Sequence, residues 1–290
     1  VPSGAVPPAV LDTADRLFDE AAPHGRSLAL VVQRGGEVLF ERYGVQPDTP
    51  FGPGGPVRPD TPLVSWSMAK SVTHAAVGIA IGDGLLELEA PAPVPQWRGT
   101  DKEPITLLDL LEMRPGLNFV EDYVDDSVSH CIEMLFGAGR DDVAGYAASL
   151  PLEHPPGTVW NYSSGTTNIV ARILGDALGG TRDAMEAFLR DRLFGPAGMT
   201  AATPRFDARG TFIGSSYVYA TARDFAAFGQ LYLDDGCTGG RRILPEGWRD
   251  SGRTQVAVDD ESGFGYGRHW WLWPEFPGSM AAHGYEGQYA

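Results

Sequence analysis

The stretch Pro62–Gly84, PLVSWSMAKSVTHAAVGIAIGDG, constrains this chain most. Pro62-Leu63-Val64 is apolar and proline-led, so it enters extended. From Met68 to Ile81 nearly every face is small or apolar, and a helix apolar all round belongs in a core rather than on a surface. Asp83-Gly84 ends it, glycine supplying the left-handed residue at the C-terminus. Ser67 and Lys70 are the two polar residues at its start. Three apart, they share a helical face, and Ser67 stands where free N–H groups and the helix dipole favour developing negative charge. A hydroxyl with an amine in reach is a candidate nucleophile with its base. The competing reading is an N-cap serine beside a solvated lysine. Lysine usage weighs against it, since only two of the 22 basic residues are lysines, Lys70 and Lys102. An arginine could carry surface charge there but cannot give up its proton.

A core helix needs a chain around it, and 290 residues, 43% hydrophobic, suffice for one large domain or two intertwined ones. The net charge of −16 disfavours nucleic acid or an anionic membrane surface as partner. Cys131 and Cys237 form no C-x-x-C, which indicates neither zinc nor a redox pair and leaves one disulfide between them open. No H-E-x-x-H occurs and the histidines are scattered, so no metal and no cofactor is expected. No apolar run is long enough to span a bilayer. VPSGAVPPAV lacks a basic start and a long apolar region, so no secretory signal is visible. The cytoplasm is slightly favoured, with export after removal of a leader as the alternative.

Along the chain, Pro8–Ala22 reads as an amphipathic helix stopped by Pro23 and Gly25, and Ser27–Val32 and Glu37–Tyr43 as a hairpin around Arg34-Gly35-Gly36. Gly52–Pro62 is a loop. Prolines 91, 93 and 95 exclude regular structure after Ala90. Thr106 caps a helix Leu107–Met113 closed by Pro115-Gly116. Residues 117–139 hold Tyr123, a run of acids and His130. Helices are expected over Val143–Ser149, Thr166–Leu178 and Arg182–Phe194. Strand residues return over Thr211–Tyr219, a helix starts at Thr221 and ends near Asp235-Gly236, and 263–273 and Met280–Ala290 read as single strands. These elements predict an α+β chain, an antiparallel sheet flanked by helices with an inserted all-α subdomain. Residues 1–58 and 211–290 would form the sheet subdomain and 59–210 the helical one, within one catalytic domain 1–290.

Two further segments carry chemistry. Trp160-Asn161-Tyr162-Ser163-Ser164-Gly165 follows a turn and precedes a core helix, so Tyr162 can relay a proton and Ser163 or Ser164 can bond substrate or the Lys70 amine. The plainer alternative packs Tyr162 in the core and uses Ser164 as a cap. His283-Gly284-Tyr285-Glu286-Gly287-Gln288 carries glycines that let a backbone approach a ligand closely.

Together the segments resemble the serine β-lactamase and penicillin-binding-protein superfamily, above all its class C-like branch of esterases, D-aminopeptidases and 6-aminohexanoate-dimer hydrolases. SMAK at 67–70 fits S-x-x-K, WNYSSG at 160–165 fits Y-x-N or Y-S-x, and AHGYEGQY at 282–289 stands where the family has K-T-G. TLLDLLEMRPGL at 106–117 and ATARDFAAFGQLYL at 220–233 match flanking helices, in the same order throughout. The resemblance implies Ser67 as acylated nucleophile, Lys70 as base, Tyr162 as proton relay and the backbone N–H groups of Ser67 and Tyr285 as oxyanion hole. Tyr123, Ser164, His283 and Gly284 would contact a small ester or amide. Two departures are Ser164 for asparagine, and Ala282-His283 for Lys-Thr, which removes a carboxylate-binding cation. The family's last two strands and C-terminal helix would lie beyond Ala290, so a fragment is expected. D-peptidase, penicillin-binding or β-lactamase activity is the rival within enzymes, and a catalytically silent binding domain the rival outside them; oligomeric state is unspecified.

Overall fold

The computed structural model describes residues 6–19, 25–49, 53–123 and 128–290. The α-helices among the described residues are α1 (Pro8–Leu17), α2 (Met68–Gly82), α3 (Leu107–Leu111), α4 (His130–Leu135), α5 (Val143–Ser149), α6 (Ser164–Ala177), α7 (Arg182–Phe188), α8 (Gly195–Ala197), α9 (Ala222–Leu233) and α10 (Trp248–Gly252). A short π-helical stretch, Leu189–Phe194, continues α7. The architecture is the expected mixture of helices with antiparallel strands.

The centre is α2, where every residue from Met68 to Ala80 is buried. Its tight packing needs Gly78, because a Cβ there would lie 2.4 Å from Nε1 of Trp248. Against it packs α6, which carries α3 and α5 in turn; Leu107, Leu110 and Leu111 of α3 are buried, and Thr106 and Asp109 form a reciprocal capping box. Thr221 and Asp224 build the same box on α9. The approach strand Leu63–Val64 pairs antiparallel with Val218–Ala220, which also pairs with Thr203–Pro204. This small sheet fixes the chain entering α2 against residues more than a hundred positions later. The hairpin β1 (Ala29–Arg34) and β2 (Glu37–Tyr43) carries a bulge between Val32 and Gln33 and packs on α9, tied there by Arg223 to Glu41 at 2.6 Å.

Several boundaries differ from the sequence expectation. Helix α1 stops at Leu17; residues 20–22 lie outside the described residues. The strand expected over Thr211–Tyr219 is reduced to Val218–Ala220, because turns and the single bridge Phe206–Phe212 occupy the earlier part. Residues 263–273 form two short strands, Gly265–Tyr266 and Trp271–Leu272, with His269 at φ 62 reversing the chain between them. Residues 280–290 likewise fold into a hairpin of His283–Gly284 with Gln288–Tyr289, turned by Glu286 at φ 59 and Gly287 at φ 74. Cys131 and Cys237 are both free thiols, so no disulfide joins them.

Two buried imidazoles brace α2. His74 Nδ1 lies 2.7 Å from the Tyr232 hydroxyl, and its ring stacks on Trp248 at 4.6 Å. His269 donates from Nδ1 to the Leu111 carbonyl and accepts from Thr167 at Nε2, both at 3.0 Å, while its own carbonyl receives the Ser71 hydroxyl. Burial holds both below the ordinary value near 6.5, His269 down to about 3. Below that ordinary value the unfolded chain takes up protons that the native state refuses. Stability therefore falls with pH by about 1.4 kcal/mol per unit for each histidine until its folded value is reached. Calorimetry is expected to show Tm dropping as pH is lowered from about 7 to about 5. The slope should lessen in His269→Asn, since asparagine tolerates the left-handed backbone. A Tm flat across that interval would contradict this account.

Candidate active site

The site assembles at the N-terminal end of α2. Trp66 sits at φ 43, a left-handed turn that is strained for a bulky residue. Ser65 secures the turn: its hydroxyl donates to Ser216 O and accepts from the Val218 amide. Ser67 follows at φ −65 and makes no side-chain cap bond, so its hydroxyl is not spent on the helix. Lys70 is 2% exposed, and its Nζ donates to Ser67 Oγ at 2.9 Å, Ser164 Oγ at 2.9 Å and Ser215 O at 3.2 Å. Three donors meet three oxygens. The same Nζ lies 4.8 Å from the Tyr162 ring centroid.

Ser163, not Ser164, caps α6, accepting from the Thr166 amide at 3.0 Å. This leaves the Ser164 side chain free to enter the site. Tyr162 packs edge-on against Tyr266 at 5.7 Å and beside Trp271 at 5.3 Å. Burial pushes its hydroxyl above the ordinary phenol value; the Lys70 charge opposes that and Glu121 adds to it. Tyr162 is therefore a phenol at neutral pH, with a proton to give.

The opposite wall is the 283–289 hairpin. Gly284 lies so close to the turn before Ser67 that a Cβ there would fall 2.4 Å from Ser65 O. The N–H groups of Ser67 and Tyr285 donate to no protein acceptor among the described residues. The Tyr285 ring reaches over to Tyr123 at 5.2 Å and Trp66 at 6.2 Å, closing an aromatic rim. His283 is set back from this rim. It stacks on Tyr289 at 4.5 Å and meets Trp271 at 6.0 Å, and burial lowers its imidazole, so it supplies no cation at neutral pH.

Two groups were not singled out from the sequence. The Ser215 carbonyl reaches Lys70 from a loop held by Asn168, whose Oδ1 accepts the Ser215 amide at 3.1 Å. Glu121 is more consequential. Its carboxylate accepts the Ser164 amide at 2.7 Å and the hydroxyls of Ser164 and Tyr123. The run of acids beside Tyr123 was the visible signal, but which acid turns inward depends on α6.

A serine–lysine pair, a half-buried tyrosine and a glycine-bearing strand thus converge at the start of α2, and the Beta-lactamase family model matches residues 14–290. This chain belongs to the Beta-lactamase family. Among relatives of this β-lactamase-related chain is the 6-aminohexanoate-dimer hydrolase of Paenarthrobacter ureafaciens, 29% identical over 279 residues, covering 90% of this chain and 68% of that protein. A Bacillus anthracis structure assigned as a 6-aminohexanoate-dimer hydrolase superposes with a TM-score of 0.75 at 23% identity, over 99% of this chain and 73% of the other. The penicillin-binding protein of Bacillus halodurans gives 0.63 at 17%, over 84% and 79%. At such identities the structural likeness establishes the fold. The family makes this protein a serine hydrolase of the β-lactamase-related kind. Among the described residues no helix is long and apolar enough to cross a membrane.

Proposed function

We propose that this enzyme hydrolyses small esters or amides through an acyl-enzyme on Ser67. The observation that carries the reading is the buried Lys70 Nζ held 2.9 Å from Ser67 Oγ. With its amine neutral, Lys70 takes the Ser67 proton as Oγ attacks the substrate carbonyl. The developing oxyanion is met by the N–H groups of Ser67 and Tyr285, donors that need no reorganisation. Tyr162 passes a proton to the leaving group, is restored from Lys70, and then helps activate the deacylating water. Tyr123, Ser164, Gly284 and the neutral His283 shape the substrate side. The cleft on this reading lies between the helical segment 59–210 and the sheet-bearing segments 1–58 and 211–290. The Paenarthrobacter relative is named a 6-aminohexanoate-dimer hydrolase, and amino acids joined amine to carboxyl form an amide, which agrees with this substrate class.

The penicillin-recognising alternative is weakened by the wall at 282–284, where Ala282 and an uncharged His283 leave no cation to hold a substrate carboxylate. Mass spectrometry after separate exposure to a fluorophosphonate and to a penicillin separates the readings. A fluorophosphonate adduct on Ser67 without a lasting penicillin adduct is expected. Adducts from both would favour a penicillin-binding activity, and adducts from neither would favour a silent domain.

A further inference from the structure

Lys70 as found is satisfied as a cation, with each N–H engaged, one of them toward the nucleophile it must deprotonate. A base in that state needs somewhere to leave its proton. Behind Ser164 the chain supplies a place. Ser164 Oγ accepts from Lys70 and donates to Glu121 Oε1, and the Ser164 amide holds Glu121 Oε2 at 2.7 Å, fixing the carboxylate in line. Given Ser67 as nucleophile and Lys70 as base, we propose that Glu121 is the proton store of this site, a positioning residue that acts on Lys70 through the Ser164 hydroxyl. In the loading step one N–H bond of Lys70 breaks and its proton joins Ser164 Oγ, while the Ser164 hydroxyl proton moves to Glu121 Oε1. The products are a neutral amine, an unchanged serine and a carboxylic acid. The amine then takes the Ser67 proton, and after turnover the stored proton returns by the same path. Charge and protons balance with no outside reactant.

The other groups around this chain of atoms do not compete for the role. Tyr123, from the same loop as Glu121, is held protonated by burial and by the Glu121 charge, and it donates to the carboxylate. Cys131, from α4, has its thiol pushed up to about 12 by burial and then by Glu121. Tyr162 and, from the strand Gly265–Tyr266, Tyr266 are phenols held protonated chiefly by burial. His269, beyond Lys70, already uses both ring nitrogens, on Leu111 and Thr167. The store also gives physical sense to serine at position 164. A hydroxyl accepts one proton while releasing another, which an asparagine amide at this place cannot do.

Glu121→Gln keeps the shape, with its amide oxygen turned to the Ser164 N–H, and removes the store. With the store in place one proton can rest on Glu121 while the Lys70 amine is neutral, so wild-type kcat/KM should hold toward low pH. In Glu121→Gln that proton must leave to solvent instead, which displaces the acid limb of kcat/KM. It should move up by at least about one pH unit, with kcat/KM at neutral pH down about 10²-fold and returning to within about threefold of wild type in alkali. Ser164→Ala should shift the limb likewise, and Ser164→Thr, which retains the hydroxyl, should restore it. A loss uniform across pH, an unmoved limb, or Ser164→Thr behaving as Ser164→Ala would overturn the proposal. Fluorophosphonate labelling of wild-type Ser67 keeps the two readings apart. An unlabelled wild type refutes the nucleophile itself, whereas a labelled wild type with an unmoved limb in Glu121→Gln refutes the store alone.

Discussion

Ser67→Ala and Lys70→Ala are each expected to lower kcat for a p-nitrophenyl ester by about 10⁴–10⁶-fold, and the double variant by no more than the worse single one. Groups that act as one unit fail together, because Ser67 without a base and Lys70 without a nucleophile each leave only the donors of the oxyanion hole. The two substitutions should differ in stability. Ser67 makes no cap bond to α2, so losing its hydroxyl removes a single acceptor from Lys70 and should lower Tm less than Lys70→Ala does. Lys70→Ala strips a donor from Ser164 Oγ and Ser215 O in a buried pocket, and unsatisfied buried groups cost about 1–3 kcal/mol each. A large activity loss in Ser67→Ala with the smaller fall in Tm is the pattern expected of a reacting serine. Either single variant retaining more than about one hundredth of wild-type kcat would sink the assignment of the pair.

How far this site could be read beforehand follows from the distance over which each part is specified. Ser67 and Lys70 lie within one helical turn, so local periodicity and an unusual lysine marked them as a pair in contact. Tyr162 needed the order and spacing of the surrounding motifs. Ser163 and Ser164 are adjacent and chemically alike, and only the backbone at the start of α6 decides which one caps and which one enters the site. Ser215 reaches Lys70, and Glu121 reaches Ser164, from loops whose paths depend on the packing of α6; a run of acids marks the neighbourhood of Glu121 but not which acid turns inward. The long strands expected over 263–273 and 280–290 failed for a related reason. His269 and Glu286 adopt left-handed backbones, uncommon outside glycine, and only the finished fold accounts for them. His269 takes that conformation while bonded to α3 and α6 and receiving Ser71 of α2, so a turn that looked like strand is what clamps three helices together.

The second large effect lies in the wall opposite Ser67. Gly284→Ala should lower kcat by about 10²-fold with little change in KM, the loss expected when one oxyanion donor is misplaced. The added Cβ would sit 2.4 Å from Ser65 O and 2.9 Å from Gln288 Cβ. Neither neighbour yields easily. Ser65 is fixed by Ser216 and Val218, and Gln288 is the hairpin partner of Gly284. The strand itself must therefore retreat from α2, carrying the Tyr285 N–H with it. Because donors act on charge that develops only in the transition state, a shift of this kind weakens kcat more than binding. Gly229→Ala on α9 is the control, since nothing lies within 4 Å of its Cβ position. It should leave kcat unchanged and add about 0.5–1 kcal/mol of stability by favouring the helix. If Gly284→Ala turned over within about threefold of wild type, the Tyr285 N–H would not be an oxyanion donor. The second donor would then have to be sought elsewhere in the cleft.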